Sequence, residues 1–301
     1  MRHLILILVS CITITMQAQL SQQNYIVYNT RTKQIENLDS IVAEMQHVDV
    51  LFFGEEHNDS VGHYLEATLF EMMHKSYGAK TALSMEMFDR DVQPVMDEYL
   101  AGLIKEKQFV KDARVWSNYR DYKPMVEYAK TNNLHVVCAN AAGRYSSLAV
   151  RKGMQGLMAL PEASKDHIAP LPFDTASGPY FDKLVDVMSG HDTTAGAAAV
   201  TAPGMDMVMG QSTWDATMAY SIAQYLKAHK GDKVFQVNGR FHSDEHYAVV
   251  TQLKNYRPKA TSLVISSGSD ENFPNINWDD HKADGDYIII TDPKVPKTFE
   301  E

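Results

Sequence analysis

The sequence predicts an α/β protein with a mostly parallel central sheet, flanking helices and a smaller helical subdomain covering the site. Short apolar runs alternate with segments of helical spacing along most of the chain, which is typical of parallel strands joined by helical crossovers. Two of these runs, at residues 48–53 and 233–238, end in the same pattern, Gly-x-x-His. Between residues 141 and 210 glycine, proline, methionine and alanine accumulate without a convincing strand. This region is the predicted subdomain of helices and loops.

The remaining elements follow from apolar runs and from local boundary signals. Asp39 or Ser40 can cap the first helix, and Gly78 is a stop signal after the second. Strands are predicted at residues 25–28, 48–53, 81–88, 134–140, 233–238, 261–265 and 286–291. Helices are predicted at residues 38–45, 60–76, 91–102, 124–130, 213–230 and 244–253.

The two Gly-x-x-His patterns place polar groups where strands end. Open α/β sheets bind ligands outside the carboxyl ends of their strands, and glycine lets the chain turn sharply there. Glu55, His57 and His242 are therefore expected in one crevice, if the fold brings the two strands together. Glu86 joins this group because it lies in an apolar strand, where a carboxylate is costly to bury without a partner.

This combination of imidazoles and carboxylates predicts a site for a transition metal or an iron-centred cofactor. The candidate metal ligands are Glu55, His57, Glu86 and His242. Each of them alone could instead be a helix cap or a satisfied buried polar group.

The first 18 residues have the positive charge, apolar centre and small exit residue, Ala18, of a secretory signal peptide. We therefore expect residues 19–301 to form an exported α/β domain. One alternative stays open, because residues 8–11 resemble a lipoprotein lipobox and would place a lipid anchor at Cys11.

The charge balance argues against one class of partner. The formal net charge is −10 at pH 7, and the sequence has no basic stripe. Because nucleic-acid binding depends on clustered cationic side chains, no nucleic-acid partner is expected.

Beyond the paired glycine and histidine residues, a series of short motifs occurs along the chain. In order they are Gly54-Glu55-Glu56-His57, Glu86-Met87-Phe88, Trp116 with Tyr122 and Pro124, Ala139-Asn140, Gln211 with Asp215, Met218 and Ala219, and Gly239-Arg240-Phe241-His242. Over residues 35–292 the sequence resembles the ChaN family of haem-binding uptake proteins. That family shares a superfamily with Tiki, TraB and erythromycin-esterase-like proteins.

The resemblance implies a periplasmic or outer-membrane-associated protein that binds haem for iron acquisition. It also implies a homodimer holding two cofacial haems, and outer-membrane haem or iron transport components as partners. The residues that it suggests for haem contact are His57, His242, Trp116, Tyr122, Tyr180, His191, Asn140 and Arg144. Trp116 and Tyr122 can either stack on the porphyrin or anchor the helical cover to the sheet. The stretch after Asn140 departs from the family pattern, because it lacks the proline often found before the arginine.

A metal-dependent hydrolase is the alternative interpretation, resembling either a zinc peptidase or an esterase. Residues 242–246 read His-x-x-Glu-His, the peptidase pattern in which two histidines one helical turn apart bind zinc. Zinc or another divalent transition metal would then replace haem, and Glu55 or Glu245 would act as the base. We favour a haem-binding protein without catalytic turnover, because the ordered motifs match that family.

Overall fold

The computed structural model describes residues 20–188 and 203–300. The predicted signal peptide, Cys11 and His191 lie outside the described residues. Among the described helices, none combines the length and apolar character needed to cross a membrane.

One sheet organises the described chain, and its spatial order is β2-β1-β8-β7-β3-β6-β4-β5. All neighbouring strands from β8 to β5 run parallel, whereas β1 is antiparallel to both β2 and β8. The sheet is therefore mostly parallel, as the sequence predicts. Its strands are β1 Tyr25–Asn29, β2 Gln34–Glu36, β3 Val50–Glu55, β4 Thr81–Asp89, β5 His135–Asn140, β6 Lys233–Gly239, β7 Ser262–Ser269 and β8 Tyr287–Thr291.

Helices connect the parallel strands and cover both faces of the sheet. In the described ranges they are α1 Leu38–Glu44, α2 Ser60–Tyr77, α3 Gln93–Leu100, α4 Glu106–Asp112, α5 Tyr119–Thr131, α6 Gly143–Met158, α7 Glu162–Lys165, α8 Gly178–Met188, α9 Pro203–Ala228 and α10 Ala248–Tyr256. Asp59 starts α2 by accepting a hydrogen bond from the backbone N–H of Val61.

The central strand β3 is buried on both faces, because alternate residues of a strand point to opposite sides. Leu51 and Phe53 pack in an apolar cluster that includes Leu65 of α2. Phe52 points the other way and joins a cluster that includes Met218 of α9. Polar side chains can therefore reach a cleft only where β3 ends.

Where the structure describes it, the region 141–210 consists of helices, from α6 to the start of α9, and of a loop at residues 166–177 between α7 and α8. A separate apolar cluster joins Tyr145 of α6, Phe173 and Ala216 of α9. Gly210 of α9 lies close against α6, since a Cβ there would lie 2.8 Å from a methyl group of Val150. The helix α9 begins at Pro203, well before the predicted residue 213.

Two other elements escape prediction from the sequence. The strand β2 is only three residues long, and α4 lies in a charged connector without a clear apolar period. In addition, α5 begins at Tyr119 and contains Pro124, although the predicted helix starts at that proline.

The helix predicted at residues 244–253 is wrong in its first part. Glu245 and His246 have left-handed φ angles of 59° and 60°, within a 3₁₀ turn, and α10 begins only at Ala248. His242 and His246 therefore do not lie one turn apart on a helix. The zinc-peptidase alternative loses the spacing on which it depends.

Replacing Gly54 by alanine should destabilise the protein by about 1–3 kcal/mol, through overpacking. A Cβ at Gly54 would lie 2.8 Å from the Cα of Arg240, so the exit of β6 would have to move away from β3. Urea unfolding measures the loss. Gly143→Ala is the matched control, because its Cβ would meet nothing within 4 Å. Equal stability of Gly54→Ala and wild type would contradict this close approach.

Candidate functional site

The two Gly-x-x-His strands are direct neighbours, as the paired motifs predict. β3 and β6 pair in parallel with Glu55 opposite Gly239, and β4 lies on the other side of β6. Their carboxyl ends form the floor of an open cleft of about 520 Å³. The cleft is lined by Glu55, Glu56, His57, Asn58, Gln211, Gly239, Arg240, Phe241, His242, Ser269 and Lys297.

On the β3 side, a buried carboxylate holds an accessible imidazole. Glu55 Oε1 lies 2.8 Å from His57 Nδ1 and accepts a hydrogen bond of 2.7 Å from the Tyr122 hydroxyl. The side chain of His57 is 34% exposed, whereas that of Glu55 is fully buried. Because an ionised carboxylate can only accept, Nδ1 carries the proton and Nε2 is left for another partner. Nε2 faces Gly239, where a Cβ would lie only 2.8 Å away.

The charge state of this pair follows from its surroundings. Burial alone would favour a neutral Glu55, but the hydrogen bond with His57 and the adjacent imidazole of His63 hold the pKa of that carboxyl well below its ordinary value. Burial opposes the charged form of His57 as well, yet Glu55 and Glu86 raise the pKa of its imidazole. The β3 side of the cleft therefore pairs a buried, ionised carboxylate with a partly exposed imidazole.

On the β6 side, a second imidazole is enclosed by carboxylates. His242 Nδ1 lies 2.6 Å from Asp215 Oδ1, and its Nε2 lies 3.3 Å from Glu86 Oε1. Glu86 also accepts a 2.7 Å hydrogen bond from the backbone N–H of Gly239. The Tyr180 hydroxyl donates to Asp215 at 2.7 Å. Both ring nitrogens of His242 are thus engaged, in contrast to those of His57.

These contacts fix the protonation of His242. Burial would lower its pKa, but the charges of Glu86 and Asp215 outweigh burial and raise it to about 10. Burial likewise opposes ionisation of Glu86, yet His242, His57 and the Gly239 N–H lower the pKa of that carboxyl. At neutral pH His242 is consequently an imidazolium between carboxylates.

Of the aromatic candidates, Trp116 lies beside the cleft, whereas Tyr122 and Tyr180 are buried beneath it. The Trp116 ring meets His57 edge to face, with centroids 5.2 Å apart. Tyr122 is fully buried and Tyr180 is 7% exposed, and each hydroxyl donates to a carboxylate. Burial and the neighbouring carboxylates raise the pKa of both phenols, which disfavours phenolate formation. These tyrosines therefore position Glu55 and Asp215.

Three further candidates do not line the cleft. The side chain of Asn140 accepts a hydrogen bond from the next backbone N–H, and Arg144 forms an ion pair of 2.6 Å with Asp91. Glu245, the alternative hydrolytic base, forms an ion pair of 2.7 Å with Lys183.

Sequence reasoning misses two residues of the site, His63 and Glu66 on α2. Both are buried, with His63 Nδ1 3.2 Å from Glu55 Oε2 and 3.4 Å from Glu66 Oε2. The available signal is a charged residue on the apolar side of α2, between Leu65 and Leu69.

The fold and site together define a class: a mostly parallel α/β protein with a carboxylate–histidine cleft across two paired strand ends. A family model described as "Haem-binding uptake, Tiki superfamily, ChaN" matches residues 41–253, which is more than half of the chain. The chain belongs to this ChaN family of haem-binding uptake proteins, and the resemblance found in its motifs is confirmed.

Solved structures share the fold at low sequence identity. The structure described as cofacial heme binding to ChaN of Campylobacter jejuni has a TM-score of 0.65 at 15% identity, covering 90% of this chain and 98% of that chain. An erythromycin esterase mutant, EreC in its open conformation, has a TM-score of 0.49 at 10% identity, covering 90% and 99%. No curated protein matches the sequence significantly. The Campylobacter likeness confirms the α/β fold class.

Removing the Tyr122 hydroxyl should cost about 1.5–3 kcal/mol of stability, the range for a hydrogen bond to a charged group. Tyr122→Phe leaves the buried Glu55 carboxylate without one of its donors. Chemical unfolding measures the difference from wild type. Tyr64→Phe, at a side chain that is 40% exposed, is the control and should change little. If Tyr122→Phe unfolds with the same free energy as the wild type, this hydrogen bond does not stabilise the protein.

The contribution of His242 to stability should fall as the pH rises. Its pKa is raised in the folded protein from 6.5 to about 10, so the folded state holds the proton more tightly. The benefit is complete below pH 6.5 and is lost as the pH approaches 10. The measurement is the free energy of unfolding of wild type minus that of His242→Gln at several pH values. A difference that stays constant over this range would contradict the charged state of His242.

Proposed function

We propose that this protein binds haem in the cleft between β3 and β6, with His57 as the axial ligand to iron, and serves extracytoplasmic haem and iron acquisition. The observation that carries the proposal is the engagement of His57 Nδ1 by buried Glu55, which leaves Nε2 available at an exposed position. Histidines that bind metals characteristically donate their other N–H to a carboxylate or carbonyl group.

The other groups of the cleft suit a porphyrin with two carboxylate side chains. Trp116 beside His57 and the half-buried Phe241 supply aromatic surface. Lys297 lies at the rim, 43% exposed and 4.0 Å from Glu56, and is a partner for a propionate. Haem is the cargo in this proposal.

His242 takes a supporting role instead of the ligand role suggested by the sequence. Its two nitrogens already face Asp215 and Glu86, and its side chain is only 7% exposed. It neutralises Glu86, which would otherwise be a buried unpaired charge beside the cleft. The imidazolium thereby stabilises the buried carboxylates next to the proposed haem site.

The proposal extends to assembly and location. The Campylobacter jejuni relative is described with cofacial heme binding, which supports a homodimer with two stacked haems here. The export signal predicted at residues 1–18 supports a periplasmic or outer-membrane-associated location, and outer-membrane haem or iron transport components are the proposed partners.

Titration of the purified protein with haemin should give a saturable Soret shift. His57→Ala should weaken haemin binding by more than about 10-fold, because even an outer-shell partner of a metal ligand is worth about 10–100-fold in affinity. His47→Ala is the matched control, since the exposed His47 precedes the amino end of the same strand.

Two results would count against the proposal. A wild-type protein without a saturable Soret shift is not a haem carrier. Unchanged haemin affinity in His57→Ala, with a normal spectrum, would remove His57 as the ligand while leaving haem binding in place.

A further inference from the structure

Beneath the cleft lies a second group of ligand-type side chains, formed by Glu55, His63 and Glu66. One ligand atom from each lies within 4.8 Å of the others, and all three residues are buried. The proposed haem site uses only the Glu55 oxygen Oε1, which faces His57 and Tyr122. Its second oxygen, Oε2, points to the group on α2.

The orientation of His63 is fixed by the backbone of the first Gly-x-x-His motif. Its Nε2 lies 3.1 Å from the carbonyl oxygen of His57, an acceptor, so Nε2 carries a proton. The other nitrogen, Nδ1, then faces Glu55 Oε2 at 3.2 Å and Glu66 Oε2 at 3.4 Å. When His63 is neutral, Nδ1 and the two carboxylate oxygens all direct lone pairs toward one point.

Such a convergence is stable only when a positive charge is shared by the three atoms, supplied either by a proton on Nδ1 or by a metal cation. Two carboxylates buried side by side repel each other, and buried oxygens without donors lose their hydration. Glu55 Oε2 and Glu66 Oε1 are both buried without a hydrogen-bond partner in the described structure. The Glu66 side chain is fully buried, as is that of Glu55, so water does not relieve either charge.

The two separations at His63 Nδ1 match those of a metal-ligand set. Zinc binds nitrogen and carboxylate oxygen at about 2.0–2.2 Å in tetrahedral geometry, which puts neighbouring ligand atoms about 3.3–3.6 Å apart. The two separations at His63 Nδ1, 3.2 and 3.4 Å, are close to that range. The His57 carbonyl oxygen supplies the outer-shell acceptor that orients a ligating histidine.

We propose that Glu55, His63 and Glu66 bind a divalent transition-metal ion of the zinc type, separate from haem. The site takes one ion per chain, and the three side chains supply three of the four tetrahedral positions. Glu55 is shared, since one oxygen binds the ion and the other holds His57. The ion therefore positions the axial histidine through Glu55 and does not touch haem.

In the absence of an ion, His63 and Glu66 must carry protons to limit the repulsion between the buried carboxylates. Burial, with the adjacent charge of Glu55, raises the pKa of Glu66 well above its ordinary value. Burial opposes protonation of His63, but Glu66 and Glu55 raise its pKa to about 11.

Titration of the haem-free protein with Co²⁺ tests the site, because four-coordinate Co²⁺ has intense visible absorption. The wild type should bind one Co²⁺ per chain, displaceable by Zn²⁺. Glu66→Gln and His63→Gln should each weaken binding by more than about 10-fold, since loss of an outer-shell partner already costs about 10–100-fold. Glu71→Gln on the same helix, at a side chain that is 44% exposed, should bind normally. Circular dichroism shows whether each variant is folded.

The outcomes separate this site from the haem cleft. If the folded wild type binds no Co²⁺ or Zn²⁺, the group holds protons only and the proposal fails. If Glu66→Gln binds the ion normally and the double variant His57→Ala, His242→Ala does not, the ion lies in the cleft instead. Haemin titration of the same samples reports on the proposed function independently.

Discussion

The site depends on one buried charge, the carboxylate of Glu55 at the end of β3. Its side chain is inaccessible to solvent, and it is stable there only because His57, Tyr122 and His63 surround it. An isolated carboxylate would cost several kcal/mol at such a position. The need to satisfy this group accounts for much of the surrounding arrangement: the buried tyrosine of α5, the histidine of α2 and the fixed imidazole at the cleft.

The two imidazoles of the cleft have the same motif but opposite environments. His57 is partly exposed and engaged through Nδ1, whereas His242 is buried and has a carboxylate at each ring nitrogen. The difference comes from the strands beside each motif. β6 lies between β3 and β4, so its histidine meets Glu86, while Asp215 approaches from α9. A repeated sequence pattern therefore yields one accessible group and one structural cation.

The sequence was sufficient for the fold class, the family and the meeting of the two Gly-x-x-His strands, because glycine and polar residues after apolar runs are strong local signals. It was insufficient for His63 and Glu66, since their role appears only when α2 is packed against the end of β3. The peptidase-like spacing at residues 242–246 failed for a related reason. Left-handed φ angles at Glu245 and His246 interrupt the helix. Neither residue is a glycine, so the sequence gives no signal of this backbone conformation. The position of Arg144 could not be predicted either, because its ion pair with Asp91 is a tertiary contact.

The antiparallel strand β1 has a topological consequence for the residues that precede it. Tyr25, its first residue, pairs with Thr291, the last residue of β8, and β8 runs parallel to the strands that end at the cleft. The polypeptide thus enters the sheet from the edge on which those strands terminate. The described residues before β1, Gln22–Asn24, therefore lie on the same side of the sheet as the cleft, next to the end of β8.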